Sequence, residues 1–252
     1  MIDSTNRRAT LIWICFLLLA FACGTVTAQD EVTVRGKTGK IVKRKGQITE
    51  WKGVTLSINV NGRNREIDQS EIIQFQTAWS ADYLKGQKLL NAHDYKGAAE
   101  SFVAALKSDP RVWAQQIIRS KLVQCYAADE RWPEASKHFL TLLRDDPETR
   151  FMNLIPIPWG GGLQSAGMTQ ASGGWMRSKI PAVELLGASW LVSGKFRDDA
   201  LAKLEELVKD LDPNVAAMAQ AQLWRARGIT ATAIDLKTVS YTHLTLPTIY
   251  SV

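Results

Sequence analysis

Two hydrophobic periods divide the chain. Between residues 30 and 76 apolar positions recur every second residue: Val32 and Val34 alternate with polar neighbours, and Val54, Leu56, Ile58 and Val60 continue the same spacing. Asn61-Gly62 follows and predicts a tight hairpin, because both central residues must tolerate positive φ. Arg63 to Ile67 supplies the return strand, Ile72, Ile73 and Phe75 a last one, and Ile41 and Ile48 bracket a lysine-rich stretch expected to turn. The spacing therefore predicts a small all-β unit over residues 29–77. From Trp79 the period changes to three and four. Ala98, Phe102, Ala105 and Leu106 share one stripe of a helix that Asp109-Pro110 stops. Trp79 to His93, with Gly86 in its middle and Leu89 on the facing side, predicts the partner helix of a hairpin.

Gly86, Tyr95, Ala98, Phe102, Ala105 and Pro110 sit where the tetratricopeptide repeat (TPR) places its signature residues. The pattern recurs with Trp132, Ala135, Phe139, Leu142 and Pro147, and again, with one residue inserted, as Phe196, Ala200, Leu204, Leu207 and Pro213 after Leu186-Gly187. Asn214 to Arg227 begins a fourth unit. Val123 replaces the small mid-helix residue of the second unit, which should set that pair farther apart. The chain thus resembles a TPR protein, with two repeats over 78–148 and a third plus the first helix of a fourth over 180–227. The resemblance implies a mainly α, TPR-like solenoid of helical hairpins, preceded by a small all-β domain whose architecture resembles SH3-like or Sm-like barrels. It also implies a concave groove, lined by first helices, that holds a partner polypeptide. Tyr83, Gln87, Leu90, Ser120, Gln124 and Glu184 are expected to face that groove. They are mostly uncharged and polar, unlike the basic carboxylate clamp of chaperone-binding members, which disfavours a chaperone tail.

Arg7 and Arg8, the apolar run Leu11 to Cys23 and Val26-Thr27-Ala28 have the three-part layout of a secretory signal cleaved after Ala28. The run is too short for the ~20 residues that span a bilayer. An alternative is a lipoprotein signal acylated at Cys23, although Ala20 stands where leucine is usual. The net charge of +6 falls by one unit when Arg7, Arg8 and Asp3 leave with residues 1–28. The mature chain keeps only Cys125, so no disulfide within it can form and packing must stabilise it. Periplasmic or envelope association follows as the expected location.

Residues 149–179 form a Pro/Gly/Trp-rich insert. Ile155-Pro156-Ile157-Pro158 must be extended, and Gly160 to Gly162 can turn freely. The glycine run lacks the Lys and Ser or Thr that a phosphate-binding loop needs. Phe151, Met152, Leu154, Trp159, Met168, Trp175 and Met176 make the insert too apolar for a free linker, so it either folds back over the repeats, the favoured reading, or exposes a patch for lipid, glycan or protein.

Candidate chemistry is sparse. His93 and His138 occupy ordinary helical positions, Asp198-Asp199 and Glu205-Glu206 lie on a polar helix face, and no cluster has metal-ligand spacing. No catalytic residue, cofactor or metal is expected. Lys40, Lys43, Arg44 and Lys45, with Arg63 and Arg65, suggest contact with an anionic envelope surface; export disfavours nucleic acid, and plain charge protection of an edge strand is the bland alternative.

Residues 239–252, VSYTHLTLPTIYSV, break the helical pattern. The first ten back-translate to GTC TCT TAT ACA CAT CTG ACG CTG CCG ACG, which resembles a transposase-end sequencing adapter. The expectation is a non-native tail after a truncated native end at 228–238. The function expected is a non-enzymatic protein-interaction scaffold of the envelope. The alternative is the N-terminal docking part of a longer envelope enzyme or secretion component.

Overall fold

A computed structural model describes residues 29–36, 38–157 and 166–228. The expected signal sequence, the glycine run and the expected non-native tail lie outside the described residues. Alternation drives the first half: β1 (Asp30–Arg35), β2 (Ile41–Lys52), β3 (Thr55–Val60), β4 (Arg63–Asp68) and β5 (Ile72–Gln76) form one antiparallel sheet in the order β4-β3-β2-β1-β5. Val32, Val34, Ile48, Leu56, Ile58 and Ile67 turn inward and are buried. The Asn61-Gly62 hairpin takes the positive φ values its sequence implies, 52° and 80°. The lysine-rich stretch does not turn. It runs within the long central strand β2, where a Cβ on Gly46 would meet the Asn59 carbonyl oxygen at 2.1 Å, so glycine is what lets β3 cross closely.

Helices α1 (Ala81–Asn91) and α2 (Tyr95–Ser108) form the expected hairpin. Ser80 and Asp94 cap them, accepting from the backbone N–H groups of Tyr83 and Gly97. A Cβ on Gly86 would stand 2.9 Å from the Phe102 ring, so the missing side chain makes room for that ring, and Ala98 and Ala105 are fully buried beside it. Helix α3 (Val112–Ala128) packs on α2 and on α4 (Trp132–Asp145). Ala135 and Phe139 are buried; the nominally oversized Val123 is accommodated at 1 % exposure.

Sheet and helices share a single hydrophobic core. The Trp113 indole N–H on α3 donates to the Ile48 carbonyl of β2 at 3.0 Å. Asp146, capping α4, accepts from the Gly53 N–H in the β2–β3 turn at 2.7 Å. Arg111 donates to both oxygens of Asp109 and to Thr77, and its guanidinium covers the rings of Trp79 and Trp113. A run of touching rings, Trp51, Phe75, Trp113, Trp79, Tyr83 and Phe102, passes from the sheet into the first hairpin.

The described part of the insert folds back. Phe151, Met152, Ile155 and Ile157 are buried, and the Trp190 indole donates to the Pro156 carbonyl at 3.1 Å. Helix α5 (Ala166–Trp175) then packs on α6 (Pro181–Leu191), which is followed by α7 (Arg197–Leu207) and α8 (Pro213–Arg227). This arrangement corrects the expected mainly α, TPR-like solenoid behind a separate barrel. The described residues instead form an open five-stranded antiparallel sheet followed by eight helices around a shared core. The physical reason lies at Gly187. The backbones of Ser172 and Met176 fill the space beside it, so the helix of the insert, unforeseen in the sequence, takes the place expected for the third unit's aromatic residue. Phe196, expected to pack there, is 39 % exposed with the Lys195 ammonium over its ring.

Candidate functional site

The six residues expected in a common groove are not brought together. Tyr83 is buried, stacked on Trp79 with ring centroids 3.8 Å apart and edge-on to Phe102. Ser120 is 1 % exposed and donates to the Ile117 carbonyl within its own helix. Both belong to the interior, which corrects their assignment to a binding surface. Leu90 packs half-buried against the core, Gln87 donates to Asn91 along α1, and Gln124 is half-buried on α3. Glu184 lines an open cleft, which none of the other five shares.

That cleft, of about 520 Å³, lies where the turn after α5 meets α6 and α7, and is lined by Met176, Arg177, Ser178, Glu184, Asp199, Ala202, Lys203 and Glu206. Its walls follow from the sequence. The Ser178 hydroxyl accepts from the Ile180 N–H and Pro181 opens α6, whose first turn carries Glu184. On α7, Asp199, Ala202, Lys203 and Glu206 share one helical stripe. The Lys203 ammonium bridges the two helices, 2.7 Å from Glu206 and 3.5 Å from Glu184. The Glu206 hydrogen bond raises the lysine pKa most, burial opposes it, and Glu184 adds to the rise. The result is a surface of both charges, open to solvent, suited to hydrogen bonds and ion pairs with a polar chain segment. Asp199 and Glu206, expected on a polar helix face, line the cleft; their spacing with Lys203 is a usable sequence signal, but the pairing with Glu184 depends on how α6 and α7 pack.

Of the remaining signature positions, Ala200 is buried, Pro213 opens α8, Pro110 and Pro147 stand exposed after α2 and α4, Tyr95 bonds His93, and Trp132 meets the Trp190 ring edge-on. Cys125 is buried, and burial pushes its thiol up to about 11. His138 stacks on Tyr126; burial, with Arg119 and Lys137 nearby, pulls its imidazole down to about 4. Among the described residues no group of His, Cys, Asp or Glu could hold a metal ion. Of the basic residues, Lys43 and Lys45 pair with Glu31, Lys40 is exposed, and Arg44 turns toward the inner face. No described helix is long and apolar enough to cross a membrane. The chain matches no protein family, no curated protein and no solved structure.

Proposed function

We propose that this chain is a non-enzymatic, protein-binding component of a bacterial cell envelope, and that a partner polypeptide docks in the cleft between α6 and α7. The observation that carries the reading is the cleft itself, with Lys203 held between Glu184 and Glu206 and Asp199 exposed beside them. A peptide laid across it meets donors and acceptors on both walls. The layout of residues 1–28 supports export, and the fit of Phe102 beside Gly86 supports a relationship of the first hairpin to the tetratricopeptide repeats. An anionic surface of the envelope is the second partner, reached through exposed lysines of β2.

Affinity capture from envelope extracts tests the proposal. A specific partner captured by the wild-type chain should be lost on Glu184→Ala with Asp199→Ala; Asp199 is exposed, but the Glu184 side chain is 15 % exposed and pairs with Lys203, so the variant should stay folded and melt about 2–4 °C lower. A partner retained in full by that variant contradicts the assignment of the cleft.

A further inference from the structure

The outer face of β1 and β2 carries a cationic surface that solvation alone does not explain. Strand alternation and register fix its membership. Arg35 lies across from Ile41, Thr33 from Lys43 and Glu31 from Lys45, all on the face away from Val32 and Val34. Arg44 is excluded, since it pairs with Val32 on the inner face and its Nε is enclosed. Charges that ward off stray strand pairing belong on edge strands, and Arg63 and Arg65 on β4 fit that role. Among the described residues β3 joins β2 only from Gln47 on, so the segment that holds Lys43 and Lys45 pairs with β1 alone; protection of that open edge accounts for the lysines but not for an exposed aliphatic side chain among them. Their side chains are about two-thirds exposed, 66 % and 67 %, and Glu31 holds both ammonium groups on one side at 2.8 and 3.5 Å. Arg35 and Lys40 are exposed as well and add two cations to the pair that Glu31 holds. Among them stands Ile41, a large aliphatic side chain 58 % exposed.

We propose that this face docks on an anionic lipid membrane, with Arg35, Lys40, Lys43 and Lys45 against the headgroups and Ile41 entering the interface. The inference deepens the envelope reading above. Charge complementarity selects an anionic surface, and Ile41 selects lipid over a soluble polyanion, which offers an aliphatic group nothing. Each cation near such a surface contributes about five-fold in affinity.

The test is vesicle co-sedimentation of a chain beginning at Gln29, because the apolar stretch Leu11 to Cys23 would itself enter lipid. The described core lies between Val32 and Leu223, so that chain retains it. Binding is expected to mixed phosphatidylglycerol and phosphatidylcholine vesicles, to weaken with salt, and to be absent with phosphatidylcholine alone. Lys40→Ala with Lys43→Ala should lose about thirty-fold. Lys137→Ala with Lys209→Ala, remote on the helical part, should change it less than two-fold by the same scale. Ile41→Ser should weaken vesicle binding several-fold yet leave binding to soluble dextran sulfate unchanged. Equal binding to both vesicle types, an equal loss in the remote lysine pair, or full vesicle binding by Ile41→Ser would each overturn the proposal. None of these outcomes touches the cleft, whose capture experiment reads Glu184 and Asp199.

Discussion

A Cβ on Gly187 would lie 2.4 Å from the backbone nitrogen of Met176 and 2.6 Å from the Ser172 carbonyl oxygen. Glycine at this position is therefore what allows α5 to close on α6. Gly187→Ala forces the two backbones apart and should destabilise the chain by about 1–3 kcal/mol. Gly174→Ala, in α5 with nothing within 4 Å of the added carbon, should instead stabilise it by about 0.5–1 kcal/mol. Thermal melts followed by circular dichroism separate the two signs.

Trp113 ties the helices to the sheet through its bond to the Ile48 carbonyl. Trp113→Phe keeps much of the ring but leaves that buried carbonyl without its donor, at a cost of about 1–3 kcal/mol. Urea unfolding measures the loss, and an unchanged midpoint would mean the bond contributes nothing.

His138 gives a pH dependence of defined sign. Its pKa is about 4 in the folded chain against 6.5 for the free imidazole, so between these values the unfolded chain binds the extra proton. The contribution to stability is complete above pH 6.5 and is lost as the pH falls toward 4. Asp109 titrates lower still: burial works against ionisation, but the Arg111 hydrogen bonds outweigh it and hold the carboxyl below the usual range. Comparing urea midpoints at pH 7 and about pH 5 should show a fall in the wild type that is reduced in His138→Phe, which keeps a ring on Tyr126.

Cys125 should behave as a core residue. With Cys15 and Cys23 replaced by serine, the folded chain should react with a disulfide reagent at pH 8 only as fast as it opens, and fully in denaturant. Prompt reaction in the folded chain would contradict the buried position. Cys125→Ser should cost about 1–3 kcal/mol by placing a hydroxyl among apolar neighbours.

Local pattern carried the sheet and the first hairpin because the information there is local. Alternation set which of Val32, Val34, Leu56 and Ile58 face inward, Asn61-Gly62 fixed its own turn, and Gly86 with Phe102 encoded a nearby contact. Local pattern does not encode positions that a distant element decides. Tyr83 has a plausible outward position on α1, but Trp79, just before the helix, folds over it. The segment Ala166–Trp175 contains Gly167, Gly173 and Gly174, a poor helix former by propensity, and packing against α6 accompanies its helical form. Once that helix claims Gly187, Phe196 has no pocket to enter. The cleft was equally hidden, since Glu184 and Lys203 meet only because α6 and α7 pack side by side.

Site-specific photo-crosslinking at Ala202, on the wall of the cleft, tests the binding role most directly. In cells the reactive residue at Ala202 should trap one discrete polypeptide partner, the same residue at Lys107 on α2 should not, and Glu184→Ala with Asp199→Ala should abolish the adduct. An adduct that survives that double substitution, or that forms equally from position 107, would contradict partner binding through this cleft.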